Sequence, residues 1–514
     1  MKKILVLTFL FSIFFESFSQ KKNCTTQQVF NRNLSSVGGL RAIVNAYLAA
    51  LRARIENYPI NPQLHRNPLI IPVVVHVVYN NAAQNISDAQ INSQIDALNR
   101  AFRKRNTTEI TANPSAAHKA KASDCLIEFR LARRKPDGTA TTGITRRSTS
   151  TTSFSDITND VKLAANGVVP WDASKYLNIW VCKLSQISDG SGGLSNLMGY
   201  AAFPWDNNPL VDGVVIDYRY FGTTGTVTAP NHQGKTTVHE VAHYLGLWHI
   251  WGDNGETPPG CAVDDEVSDT PNQRDSNGGC PTYPSVSCSN APEGDMYMNY
   301  MDYVNDQCMH MFSTGQRARM LANFAPGAKR ASLALSTAII APNSSAIDYE
   351  VFLIPQNEGL PSWKAAMGMV WATARQQSPD IPGLESSSGA FAINGLPNDV
   401  ATTINALLLR YEEVSVCYSV EGFRTLLRRG PIALLSIGSG DKYGIVVSGM
   451  SIDANGNAIL KIKDPMAVGP QFGITQTGAE YQVDYTTFMT QNLEQLARDN
   501  KKILIIYPPT TGGL

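Results

Sequence analysis

Apolar residues recur along this chain with the spacings of both strands and helices. IPVVVHVVY at 71–79 is an almost unbroken apolar run and predicts a strand buried on both faces. SDAQINSQIDALNRAF at 87–102 places Ile91, Ile95, Leu98 and Phe102 on one helical stripe, behind a capping-box pair, Ser87 and Gln90. A second helical stretch, GGLRAIVNAYLAALRARI at 38–55, lies in an otherwise polar leader. Short strand-like runs follow near 125–132, 176–183 and 211–217, and a helix is expected at 314–324. Together these predict an α/β lobe with a mixed sheet and backing helices. Residues 250–312 have no such period and are rich in Gly, Pro, Asp and Cys, so disulfides and calcium are the expected supports of a loop-rich lower lobe. Ala/Ser-rich residues 325–346 look like a linker, and a distinct domain of alternating helix and strand follows over about 347–510.

Composition adds a compartment. Lys2 and Lys3 precede an apolar run from Ile4 to Phe15, and Ser17-Phe18-Ser19 offers a small-x-small cleavage site. Residues 1–20 therefore read as a secretory signal peptide; the run is too short to span a bilayer. The expected mature protein is soluble and secreted, periplasmic or extracellular, where disulfides persist. With 43 basic and 43 acidic residues in 514, the formal charge is +0, which points to neither a nucleic-acid nor a membrane partner. Cys125 and Cys182 lie in strand-like runs as buried thiols or a third bridge, and Cys417 reads as a core residue. His76, inside the first strand, reads as a satisfied core histidine.

The richest chemistry is HEVAHYLGLWH at 239–249. On a helix, His239 and His243 leave the same face one turn apart and can bind one metal ion. Glu240 points beside that face, as a base does. Gly246 lets the chain turn sharply, bringing His249 round as a third nitrogen. Three imidazoles with an open fourth position describe catalytic zinc, whereas structural zinc sites are closed.

Extended by Gly246 and His249, and followed by NYMDY at 299–303, this motif resembles the metzincin metallopeptidases. Met301 matches their Met-turn methionine beneath the zinc; by itself it would be ordinary core packing. IPVVVHVVY (71–79), YLNIWV (176–181), GYAAFP (199–204), DEVSDTP (265–271) and NYMDYVNDQC (299–308) occur in the order of one branch, the pappalysin family. That resemblance, over about 70–324, implies disulfides Cys261–Cys288 and Cys280–Cys308. It implies calcium at Asp265, Asp269 and Thr270, which otherwise read as solvated loop residues. It makes Tyr303 a tyrosine that helps stabilise the oxyanion, against a merely packed ring. It puts Asp306 at the pocket after the scissile bond, favouring Arg or Lys there. In related zymogens a leader cysteine binds the zinc, a role that Cys24 in KNCTT fits; a free or otherwise paired thiol is the alternative. Residues 21–66 would then be a propeptide, releasable at Arg52, Arg54 or Arg66, and 67–324 the catalytic domain.

VFLIPQNEGLPSWKAAMGMV at 351–370 resembles the nucleophile region of papain-like cysteine peptidases, an α+β fold. Gln356 stands at the oxyanion donor, Ser362 replaces the cysteine, Tyr443 replaces the histidine and Asp464 matches the third residue. No histidine follows His310, so Ser362 has no imidazole base. The expectation is a pseudopeptidase domain with an unknown partner; an unrelated α/β module is the alternative. The whole chain is expected to be a Zn2+-dependent endopeptidase acting on proteins or peptides, with a non-catalytic secreted binding protein as the competing class.

Overall fold

The computed structural model describes residues 24–57, 68–188, 192–206, 208–252, 260–325, 327–342, 344, 346–349, 351, 362–374, 399–407, 409–414, 419–437, 442–465, 479–498 and 502–508. The expected signal peptide, Arg66, Gln356 and Cys417 fall outside them. Among the described residues, no helix is long and apolar enough to cross a membrane.

The leader forms two helices, α1 (Thr26–Ser36) and α2 (Leu40–Asn57). Only the second is legible as an apolar stripe; α1 is mostly polar and owes its place to packing. The next part of the chain runs β1 (Leu69–Tyr79), α3 (Asp88–Phe102), α4 (Thr107–Thr111), α5 (Ala116–Lys121), β2 (Ile127–Leu131), β3 (Ile144–Ser148) and β4 (Leu177–Cys182). It continues through β5 (Gln186–Ser188), β6 (Leu194–Asn196), β7 (Gly199–Ala201), β8 (Val214–Asp217) and α6 (Lys235–Tyr244). The main sheet has the order β2-β1-β4-β8-β7, with β3 also on β1. Its pairs are parallel except β7 with β8, so the sheet is mixed, as expected. β1 is buried from Leu69 to Val78, the burial that its unbroken apolar run requires. His76 is a core residue: Nδ1 lies 2.7 Å from Thr145 Oγ1 and Nε2 3.0 Å from Asn178 Oδ1. Burial pushes its imidazole down to about 4, so it stays neutral.

The cap of α3 differs in one respect. Ser87 accepts from Gln90 N, but the Gln90 side chain does not return to it. It donates instead to the carbonyls of Tyr218 and Phe221, pinning the loop that leads to α6. Gln94, one turn on, accepts from Gly222 N and Thr237 Oγ1 and donates to Gly234 O. Two buried amides of the backing helix thus fasten the loop before α6, through Gln90, and the start of α6 itself, through Gln94.

The lower lobe holds the short strands β9 (Gly278–Gly279) and β10 (Tyr303–Val304) and helix α7 (Thr314–Ala322). Disulfides Cys261–Cys288 and Cys280–Cys308 close it, as the resemblance implied. Cys125 and Cys182 are buried free thiols, not a third bridge. The described residues of 327–342, including α8 (Ala331–Ala334), pack back on this domain and do not stand free as a linker. Ala338 O accepts from Arg133 N and Arg134 N, and Arg330 is ion-paired with Asp212 at 2.6 Å.

The last part contains β11 (Ile347–Asp348), α9 (Ser362–Ala374), α10 (Val400–Ala406), β12 (Arg410–Val414), α11 (Val420–Leu427), β13 (Ile432–Ile437), β14 (Lys442–Ile452), β15 (Ala458–Asp464), β16 (Ala479–Asp484), α12 (Tyr485–Arg498) and β17 (Lys502–Tyr507). Its sheet is antiparallel throughout, in the order β12-β17-β13-β14-β15-β16 with β11 also on β14. Gly444 lets α9 lie close on β14: a Cβ there would sit 2.7 Å from Trp363 Cα.

Candidate metal centre

All ten residues of α6 are buried, so its imidazoles are held in a dry site. His239 Nδ1 donates to Tyr300 O at 2.7 Å, and His243 Nδ1 to Leu247 O at 2.8 Å. A ring nitrogen facing a carbonyl carries the proton, so Nε2 of each ring presents a lone pair. Gly246 then turns the chain at φ +96°, where a side chain would also meet Asn323 Nδ2 at 2.6 Å. The turn delivers His249 Nε2 to 3.1 Å from His243 Nε2 and 3.2 Å from His239 Nε2, and those two lie 3.1 Å apart. Lone pairs so crowded repel one another unless a cation lies among them. Zinc–nitrogen bonds of about 2.0–2.1 Å at tetrahedral angles separate ligand nitrogens by about 3.3–3.4 Å, so the donor set fits zinc closely. Burial and then the neighbouring His249 hold His243 well below the usual imidazole range, in the neutral form a metal needs.

A turn from the lower lobe supports the trio. Tyr300 O fixes His239, and Met301 O accepts from Ile250 N directly after His249. Met301 itself is fully buried. Asn299 Oδ1 accepts from Met301 N, and its amide is paired with Gln316 on α7. Arg319, also on α7, donates to Gly246 O at 2.8 Å and is ion-paired with Glu266 at 2.9 Å. Trp251 stacks on His249 with ring centroids 4.3 Å apart. The sequence reading missed Gln94, Asn299, Arg319 and Trp251. Only Gln94 carried a signal, as a polar residue between Ile91 and Ile95 on an apolar stripe.

The leader fills the fourth side. Cys24 Sγ and the three histidines offer ligand atoms that all lie within 4.8 Å of one another. Cys24 forms a parallel bridge to Gly199, and Thr25 N donates to Gly199 O, so the leader lengthens the sheet at its rim. Glu240 is 1% exposed. Its Oε2 accepts from Thr26 Oγ1 at 2.8 Å and from Cys24 Sγ at 3.3 Å. Ala201 N in turn donates to Thr26 Oγ1 at 2.8 Å. Tyr303 OH donates to the Cys24 carbonyl at 3.1 Å. Burial and then the charge of Glu240 push the Cys24 thiol well up; a dication beside it acts in the opposite sense.

The remaining expected residues lie further out. Asp306 is fully buried, and its Oδ2 accepts from Gln233 N at 2.8 Å and Lys235 N at 3.4 Å, at the positive end of α6. Asp265 and Thr270 come together: Thr270 Oγ1 lies 2.7 Å from both Asp265 Oδ1 and Val267 O. Burial raises the Asp265 carboxyl to about 7. Asp269 points elsewhere: its oxygens accept from Ser313 Oγ and Gly315 N at the start of α7. The expected calcium trio is thus split, because Asp269 is spent on capping a helix.

In the last domain, Ser362 begins α9, and its Oγ accepts from Gly444 N at 3.3 Å. Tyr443 OH donates to Asp464 Oδ2. Burial, and then the charge of Asp464, push the Tyr443 phenol far above its usual range, so it stays protonated. The three residues are neighbours, and among them no base faces the serine hydroxyl.

Comparison with known proteins agrees with this geometry. A family model described as pregnancy-associated plasma protein-A, peptidase family M43, matches residues 160–325. An extracellular metalloprotease of Arthroderma otae is 28% identical over 258 residues, 49% of this chain and 76% of that protein. One from Arthroderma benhamiae is 40% identical over 130 residues, 24% of this chain and 42% of that one. Among solved structures, a mutant of promirolysin from Tannerella forsythia is 40% identical, covers 61% of this chain and 97% of that chain, and superposes with a TM-score of 0.53.

Proposed function

Because this chain belongs to the pappalysin family of metallopeptidases, we propose that it is a secreted zinc endopeptidase, made as a latent precursor, that cuts polypeptides before Arg or Lys. The observation that carries this reading is the convergence of three imidazole Nε2 atoms 3.1–3.2 Å apart beside a buried carboxylate. Bound through His239, His243 and His249, zinc would supply Lewis acidity to the scissile carbonyl and to a water molecule. Glu240 is the general base: it takes the water's proton and passes it to the leaving amine. Tyr303 OH, already aimed at a peptide carbonyl of the leader, is placed to donate to the substrate oxygen as charge develops. The rim at 194–204 adds an extended substrate as a further strand, as it now adds Cys24. Asp306, buried at the start of α6, is the carboxylate that would select a basic side chain on the amine side of the cut.

Latency follows from the leader's seat. Cys24 would occupy the fourth metal position as thiolate, Thr26 covers the base, and Cys24 O covers Tyr303. Asp265, Val267 O and Thr270 gather three oxygens, the donor type that suits calcium; Asp269 is not one of them. In this reading residues 1–20 direct export, 21–66 are the propeptide, 67–324 hold the catalytic fold, 325–346 connect, and 347–510 form a degenerate papain-like domain that binds rather than cuts.

Metal analysis joined to casein hydrolysis tests the core of the reading. Expected are about one zinc per chain and hydrolysis abolished by a chelator; metal-free protein, or turnover indifferent to the chelator, would overturn it. Mapping cuts in a peptide library tests the Arg/Lys preference separately. Cys24→Ala should shorten the latent period of the precursor several-fold, and an unchanged latent period would sink the thiolate switch.

A further inference from the structure

The leader touches the catalytic fold at a second place, outside the donor set. Phe203, Trp205 and Trp248 form an aromatic patch, each no more than 1% exposed, with ring centroids 4.7 Å apart. Phe30 of α1 stands edge-on to Phe203 at 5.6 Å, and Leu48 and Leu51 of α2 belong to the same apolar cluster. Polar contacts frame it. Tyr47 OH donates to Asn323 Oδ1, Arg52 is ion-paired with Glu266 at 2.7 Å, and Arg54 donates to Gly327 O. None of these leader side chains bonds to a metal ligand or to Glu240, although Phe203 itself packs edge-on to His243 with ring centroids 5.4 Å apart.

Resting on the latent-precursor reading above, we propose that this patch is a docking site for the excised leader itself. Residues 24–57 stay bound through it after the backbone is cut, and act as a non-covalent plug of the cleft. Three features support this occupant. The leader's apolar residues already cover the patch. Arg52 and Arg54 lie inside a helix and in polar contacts, a poor shape for proteolysis, so both helices leave as one piece. A leader freed of its bond to the chain still carries both its thiol and its hydrophobic anchor, so losing one grip does not release it. Cleavage is therefore not activation; departure or destruction of the leader is.

The test uses the full chain with a specific protease site inserted between Asn57 and Pro68. After cutting, gel filtration with mass spectrometry reads how much leader stays with the catalytic chain. The parent and Cys24→Ala should both retain it. The pair Leu48→Asp and Leu51→Asp should release it at least ~10-fold faster, Arg52→Glu by a smaller factor, and Leu48→Met with Leu51→Met at nearly the parent rate. Immediate loss from the parent, loss caused by Cys24→Ala alone, or retention by the Asp pair would overturn the proposal. Casein hydrolysis after the leader is washed off is scored apart: its absence with normal retention would sink the peptidase reading and leave the docking site standing.

Discussion

The metal centre and the Ser362 cluster are both built by a helix lying on a sheet. They differ in what their lone pairs face. At the metal centre three Nε2 atoms point at one another, the Nδ1 protons of His239 and His243 are committed to backbone carbonyls, and Glu240 stands beside them. At Ser362 the hydroxyl oxygen accepts from a backbone N–H, and the phenol of Tyr443 donates to the Asp464 carboxylate. Reactivity needs an electrostatic demand left unmet by the protein; the first cluster keeps one, whereas at the second the phenol is spent on the carboxylate and no imidazole stands by the serine. Scaffold alone therefore predicts nothing about turnover.

The contrast can be broken most severely at Glu240. Glu240→Ala should lower the rate of peptide hydrolysis by at least ~10² with zinc content unchanged, as read by casein assay and metal analysis; near-normal turnover would remove the base from its role. Next comes the turn that gathers the trio. Gly246→Ala forces a side chain into a left-handed conformation and against Asn323, so a loss of about 1–3 kcal/mol in stability is expected. Zinc affinity should fall with it, and a variant that keeps both melting temperature and zinc would show that His249 does not depend on the turn. The smallest effect belongs to the second cluster. Tyr443→Phe should leave peptide hydrolysis unchanged and cost roughly 1 kcal/mol through the lost bond to Asp464, measured by denaturant unfolding of the full chain. A drop in turnover there would mean that the two clusters are coupled.

Much of the site was legible because it is local. His239, Glu240, His243, Gly246 and His249 sit within eleven residues, so helical spacing and one glycine turn almost dictate their convergence. The buried strand at 71–79 and the stripe of α3 were equally readable, since burial on one or two faces writes a period into the chain. Long-range pairings were not. The family resemblance implied Asp269 as a calcium ligand, and it became a helix cap because α7 starts beside it. Gln90 looked like half of a capping box, and pins a loop more than a hundred residues away.

By itself, then, the order of residues determined which groups could bind a metal, which segments must be buried, and that the last domain has no imidazole to offer. Tertiary structure alone decided which carbonyls fix the histidine tautomers, where each carboxylate spends its lone pairs, and how Phe30, Thr26 and Cys24 of the leader meet the rim, the base and the ligands at once. The physical reason is range: periodicity encodes neighbours within a turn or a strand, whereas hydrogen-bond partners across a core are chosen by how the elements stack.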